Sequence, residues 1–124
     1  MELLDALRWF AGGAFVFAGI PKITLGPAAL AARGYAVVAS LGRARAAAIG
    51  AFETAAGLTL VAAGPLGLPA VGQGAALLLA VLMVGAAWAQ LKGPTPGKAF
   101  LPIVLLAMLL PLVGGGAPSA DGIL

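Results

Sequence analysis

The stretch AVGQGAALLLAVLMVGAAWAQL, residues 70–91, carries no charged side chain from end to end. A helix needs about 20 predominantly apolar residues to cross the roughly 30 Å hydrocarbon core of a bilayer. The stretch has that length, and it lacks the period-two alternation of a transmembrane β-strand. We therefore predict that residues 70–91 form a membrane-spanning helix.

Three further apolar runs follow the same pattern with few charges: residues 3–23, 46–63 and 100–113. Asp5, Arg8 and Lys22 interrupt the first of them, and Glu53 is the one charge in the second. Glycine- and proline-rich segments separate the second run from the third and the third from the fourth, as is typical of turns. Backbone N–H and C=O groups in hydrocarbon must pair internally, which favours helices over open strands. The sequence therefore predicts an all-α, integral membrane four-helix bundle that occupies residues 1–124 as one domain.

The composition indicates lipid as the main solvent of this chain. Of 124 residues, 62% are hydrophobic and 9% are charged, and the mean hydropathy is +1.11. A soluble domain has about 25% charged residues to cover its surface. We expect a multi-pass protein whose principal partner is the bilayer.

Cysteine and histidine are both absent. Their absence excludes disulfides, thiolate and imidazole catalysis, and most transition-metal sites. With no other catalytic constellation in view, we predict no catalytic residue, no metal site and no enzymatic activity of the chain by itself. The net charge of +3 does not indicate nucleic-acid binding, because the cations lie at predicted membrane boundaries and form no contiguous patch in the sequence.

The first apolar run has a second interpretation as a secretory signal peptide. Its leading segment contains Glu2 and Asp5, where a signal peptide has net positive charge. We therefore favour an uncleaved helix. The small residues at 29–32 are compatible with a cleavage site and leave the alternative open.

The long connection between the first two runs also has two interpretations. Residues 28–41 contain four apolar side chains that are available to face a membrane and two polar ones that are available to face water: Leu30, Val37, Val38 and Leu41, then Arg33 and Ser40. This pattern is compatible with a short interfacial helix. An ordered loop packed on the bundle is the equal alternative.

The cations predict the orientation. The first connection carries four of them and the third connection carries two, whereas the second connection has none: Lys22, Arg33, Arg43 and Arg45, then Lys92 and Lys98. Cytoplasmic loops are enriched in Lys and Arg. We therefore expect both cationic loops in the cytoplasm and both termini outside it.

Small residues recur at four-residue spacing along the second and third runs, in three stripes: Ala47, Ala51 and Ala55; Gly72, Ala76 and Ala80; Gly85 and Ala89. Such stripes allow helix backbones to approach closely in lipid. We interpret them as packing surfaces.

Glu53 is the one charged residue of the second run. It lies about eight residues into that run, or roughly 12 Å at 1.5 Å per residue. A charge at this depth needs a partner. Side chains tilt toward the amino end of their own helix, so Lys22 and Glu53 lean toward each other. We predict an intramembrane Lys22–Glu53 pair, with Arg8 near the opposite boundary reaching the headgroups.

The predicted pair has a structural and a functional interpretation. It either fixes the register of two helices or supplies a proton-carrying or ligand-binding carboxylate that faces a cavity. We favour the structural interpretation, because the sequence has no histidine and places no second carboxylate deep within a span for a proton relay.

The first run contains Arg8-Trp9-Phe10 and the segment FAGIPK at 17–22, and the second contains GAFETAAGL at 50–58. These motifs resemble the DoxX family of small bacterial membrane proteins, over almost the whole chain in length and span count. The resemblance implies a four-helix fold in the bacterial inner membrane, with Arg8, Lys22 and Glu53 as its characteristic charged positions. It also implies association with membrane redox systems, including thiosulfate:quinone oxidoreductases and thiol-stress complexes.

Three functions are compatible with these observations. The first is an auxiliary or quinone-interacting subunit of a membrane oxidoreductase, with quinone as the candidate cofactor and a redox protein as the partner. The second is a small proton-coupled transporter that uses Glu53. The third is a structural or assembly protein without its own activity, and the glycine-rich helix faces leave a homo-oligomer open.

Overall fold

The computed structural model describes residues 3–93 and 96–114. Four long helices form a bundle, and the described residues contain no strand: α1 (Leu3–Thr24), α4 (Arg43–Ala63), α5 (Pro69–Lys92) and α6 (Phe100–Val113). Two short helices, α2 (Pro27–Ala32) and α3 (Ala36–Ala39), lie between α1 and α4, and a 3₁₀ turn (Pro96–Ala99) precedes α6. The predicted all-α four-helix bundle is confirmed.

The four long elements are apolar and long enough to cross a membrane, α6 together with its preceding 3₁₀ turn. The predicted boundaries agree within one residue for α1, α5 and α6. The second span begins at Arg43, three residues before its predicted start at 46. Arg43 and Arg45 are exposed there, and a long cationic side chain can extend from a helix end to water.

The four long helices form a ring in which each long helix contacts the long helix that follows it in the chain. The most extensive contact is between α1 and α4, followed by the contact between α5 and α6. The α4–α5 contact joins these two pairs, and a smaller α1–α6 contact closes the ring. This up-down-up-down order places the α1–α4 and α5–α6 connections at the same end, where the side chain of Val37 lies against Gly93.

Five of the seven buried positions of α4 are separated by alternating steps of four and three residues, as in a heptad repeat: Ala46, Gly50, Glu53, Gly57 and Leu60. Such spacing is typical of helices that cross at a shallow angle. Phe15, Leu79 and Leu109 are fully buried at the centre of the bundle with Leu60.

Four glycines bring α1 and α4 into direct backbone contact. A methyl group added to Gly57 would lie 2.7 Å from the carbonyl oxygen of Gly12, and one added to Gly12 would lie 2.7 Å from that of Gly57. The pair formed by Gly19 and Gly50 is equally close, since a methyl group on Gly19 would lie 2.5 Å from the Gly50 oxygen. Only residues without a Cβ allow this approach.

The small-residue stripes predicted from the sequence have mixed outcomes. The stripe of Gly72, Ala76 and Ala80 is buried in the bundle, so this prediction is confirmed. Ala51, Ala55 and Gly85 are exposed, and these parts of the prediction are wrong. The glycine pairs between α1 and α4 were not predicted, because their seven-residue spacing differs from the four-residue spacing used as the criterion.

The connection between α1 and α4 is ordered and packs on the bundle. A single helix over residues 28–41 is not formed, because Gly34 has a left-handed φ of 94° that separates α2 from α3. Leu30, expected to face the membrane, is fully buried and forms a small cluster with Ala39 and Ala46. Of the two alternatives, the packed connection describes this segment.

The glycine contacts predict a position-specific response to a single methyl group. Gly57→Ala forces α1 and α4 apart, and overpacking of this kind costs about 1–3 kcal/mol. Gly13→Ala on the exposed side of α1 is the matched control, because its added methyl group meets no atom within 4 Å. We expect thermal melting of the detergent-solubilised protein to fall by several degrees for Gly57→Ala alone. Equal melting temperatures for the two variants would contradict the close helix contact.

Candidate functional site

Lys22 and Glu53 come from the two helices that pack most closely. Lys22 lies in the last turn of α1, and Glu53 is the central residue of α4, with ten residues of that helix on either side. Glu53 therefore lies roughly 15 Å from the start of its helix at 1.5 Å per residue. This distance exceeds the 12 Å counted from residue 46, because α4 begins three residues earlier than predicted.

The two side chains are in direct contact. Nζ of Lys22 donates a hydrogen bond to Oε1 of Glu53 at 2.6 Å. Lys22 is 9% exposed and Glu53 is 2% exposed. The structure thus brings together the two residues that the sequence predicted to pair.

The direction of the side chains explains how residues at different heights meet. The backbone of Gly50 is level with Lys22, since a methyl group on Gly50 would lie 2.7 Å from Cβ of Lys22. The ammonium group then reaches Glu53, three residues further along α4. Both side chains tilt toward the amino ends of their own antiparallel helices, which closes this gap. The missing side chain at Gly50 leaves room for the lysine stem.

The connection between α1 and α4 covers the pair. Only two residues of α1 follow Lys22, whereas seven residues of α4 precede Gly50, so α4 extends beyond the end of α1. The segment containing α2 and α3 packs against the part of α4 that extends beyond α1. In this segment, the ring centroid of Tyr35 lies 5.3 Å from Nζ of Lys22. An aromatic face at this distance attracts an ammonium group.

Arg8 is not part of this site. Its guanidinium group forms a 2.9 Å ion pair with Asp5 one turn earlier on α1. Arg8 is 14 residues from Lys22 (22 − 8), which is about 21 Å along a helix. The sequence predicted its place at the opposite boundary but missed Asp5 as its partner, although the i, i+3 spacing is a signal for such a pair.

The hydroxyl groups in the spans are bound within their own helices. Thr54 donates to the carbonyl oxygen of Gly50 at 2.8 Å, and Thr59 donates to that of Ala55 at 2.8 Å. Within residues 3–93 and 96–114, no buried side-chain nitrogen or oxygen lacks a hydrogen-bond partner. The same residues contain no group of three or more carboxylates that could bind a metal ion.

A shallow apolar groove of about 390 Å³ opens between α4 and α5. It is lined mainly by apolar side chains and includes Phe52, Thr59, Gly74 and Leu78. Glu53 is directed away from this groove, toward α1. The groove and the ion pair therefore lie on different faces of α4.

Comparisons with profiles of known protein families, with curated proteins and with solved structures find no match to this chain. The functional interpretation therefore depends on the geometry of the site. That geometry is a contact ion pair, enclosed by α1, α4 and Tyr35, at the most extensive helix contact of the bundle.

The enclosed pair predicts non-additive effects of substitution. Lys22→Met or Glu53→Gln leaves its partner buried and unpaired, which costs about 3–5 kcal/mol. The double variant has no unpaired charge, so we expect it to recover a large part of this loss in detergent melting experiments.

Arg8→Met provides the matched control, because it breaks the second ion pair at the exposed end of α1. A pair of this kind contributes about 1 kcal/mol or less. Additive losses in the Lys22 and Glu53 variants would show that the two side chains are not coupled in the folded protein.

Proposed function

We propose that this chain is a structural or assembly subunit of the membrane, and that the Lys22–Glu53 pair serves its fold. The observation that carries the proposal is the enclosure of the pair: Glu53 is 2% exposed, contacts Lys22 at 2.6 Å and is directed away from the apolar groove. A carboxylate that exchanges protons or binds a ligand needs access to water or to that ligand. This carboxylate contacts its own protein instead.

The proposed role of the pair is to specify the register of α1 against α4. Apolar helix faces in lipid pack by shape and tolerate sliding, since no hydrophobic effect operates between spans. A buried charge tolerates no such slip, because a shift of one turn separates the ammonium and carboxylate groups by about 5.4 Å. Register specification is the best-attested use of buried polar groups.

The transporter alternative receives less support from this geometry. A proton-coupled carrier exposes its carboxylate alternately to the two sides of the membrane. Glu53 would have to leave Lys22 and displace the Tyr35 segment to reach water. We therefore rank this alternative below the structural proposal.

The resemblance to the DoxX family suggests the setting of this subunit, which is a membrane redox system in a bacterial inner membrane. The second candidate function is quinone interaction, and the observation that favours it is the groove between α4 and α5. Its apolar lining suits an isoprenoid tail. The hydroxyl of Thr59 is its clearest polar group, and its proton is already donated to Ala55.

Two variants distinguish the structural role from quinone interaction, because one changes the ion pair and the other changes the groove on a different face of α4. The structural proposal predicts that Lys22→Met/Glu53→Gln, once folded, retains the same co-purifying proteins as the wild type. It also predicts the same rate of thiosulfate oxidation coupled to quinone reduction in membranes. Gly74→Leu places a bulky side chain in the groove, and the Cβ atom at this position meets no atom within 4 Å.

Retained activity in the double variant and in Gly74→Leu supports a structural role. Loss of bound quinone in Gly74→Leu alone would favour the second candidate. A folded double variant that loses thiosulfate oxidation or its partner proteins would contradict the structural proposal.

We further propose that the end bearing the α1–α4 and α5–α6 connections faces the cytoplasm, with both termini outside. The positive-inside rule supports this orientation. Five exposed cations lie at this end: Arg33, Arg43, Arg45, Lys92 and Lys98.

The absence of native cysteine makes this orientation directly measurable. Leu66→Cys lies in the exposed α4–α5 turn, and Ser40→Cys lies in the exposed part of the α1–α4 connection. We expect a membrane-impermeant maleimide to label Leu66→Cys in intact cells and Ser40→Cys only after permeabilisation. The reverse pattern would contradict the proposed orientation.

A further inference from the structure

The exposed charge of the bundle is concentrated at one end, which we call the cationic end. It comprises the exposed side chains of the two connections and the adjoining helix termini: Arg33, Arg43, Arg45, Lys92 and Lys98. The fold brings the two connections together, because a methyl group added to Gly34 would lie 2.6 Å from Nζ of Lys98. Cations that are far apart in sequence thus share one surface.

The cationic end has no acidic partner within the described part of the chain. The described residues include two carboxylates, and both form ion pairs away from the cationic end. Asp5 pairs with Arg8 at the opposite end, and Glu53 pairs with Lys22 in the interior. The exposed charge at the cationic end is therefore +5 among the described residues. At the opposite end, Arg8 and Asp5 cancel each other.

The height of these cations corresponds to lipid headgroups. Arg43 begins α4 and Lys92 ends α5, so both lie where an apolar span meets water. Trp88, one turn before Lys92, is 64% exposed, and Nζ of Lys92 lies 4.7 Å from its ring centroid. An exposed tryptophan next to a lysine is typical of the membrane interface.

We propose that the cationic end binds the headgroups of anionic phospholipids in the surrounding leaflet. Phosphate groups accept charge-assisted hydrogen bonds from Arg and Lys, and an anionic headgroup adds a net negative charge that zwitterionic lipids lack. Phosphates at the rim of the bundle are placed to satisfy the cations for which the described chain supplies no carboxylate. This binding is a property of the folded chain and does not depend on the proposed function.

The two tryptophans provide a reporter at each end of the bundle. Trp9 lies beside Arg8 at the opposite end, and Trp88 lies at the cationic end. In Trp9→Phe the fluorescence reports on the cationic end, and in Trp88→Phe it reports on the opposite end. Quenching by phospholipids with brominated acyl chains then measures which lipid contacts each end.

We expect brominated phosphatidylglycerol to quench Trp88 several-fold more effectively than brominated phosphatidylcholine with the same chains. The preference should fall as salt is added, and it should be absent at Trp9. Removing one cation lowers surface attraction by up to about fivefold. We therefore expect Arg33→Gln/Lys98→Gln, in the Trp9→Phe background, to reduce the preference markedly while melting stays unchanged.

Equal quenching of Trp88 by the two lipids, or the same phosphatidylglycerol preference at Trp9, would overturn the proposal. So would loss of the preference on adding inorganic phosphate at an ionic strength where chloride has no effect. That result would assign the surface to a soluble anion. A preference unaffected by Arg33→Gln/Lys98→Gln would equally count against these cations as the lipid contacts.

Discussion

The Lys22–Glu53 ion pair is the interaction that constrains how the helices of the bundle pack. Glu53 lies at the centre of α4, where an unpaired charge in a bilayer would cost several kcal/mol. The cation that contacts it comes from the last turn of α1. The two helices must therefore meet closely and in one register, which explains why their contact is the most extensive in the bundle.

Two features of the sequence make this meeting feasible. Glycines on both helices remove the side chains that would hold the backbones apart, and Gly50 in particular leaves space for the stem of Lys22. The α1–α4 connection then covers the end of α1, beside the part of α4 that extends beyond it, and places Tyr35 against the ammonium group of Lys22. The ion pair, the close helix packing and the cover by Tyr35 thus occur at one place in the fold.

Hydropathy was sufficient to predict the spans, because charged residues interrupt apolar runs at the membrane boundary. It failed at the start of α4, since Arg43 and Arg45 were treated as loop residues although their long side chains allow them to begin a helix. The prediction of a single interfacial helix was wrong because Gly34 has a left-handed backbone conformation that ends α2. Composition does not identify this residue in a chain with 19 glycines. The pairing of Lys22 with Glu53 was predictable because a deep charge has few possible partners. Its enclosure was not, because the position of Tyr35 depends on tertiary folding.

The most direct test is a solid-state NMR measurement of the dipolar coupling between ¹⁵Nζ of lysine and ¹³Cδ of glutamate, with the protein in lipid bilayers. The 2.6 Å hydrogen bond predicts a measurable through-space coupling that disappears in both Lys22→Met and Glu53→Gln. Absence of this coupling in the folded wild-type protein would contradict the account, because α1 and α4 would then lack the contact that sets their register.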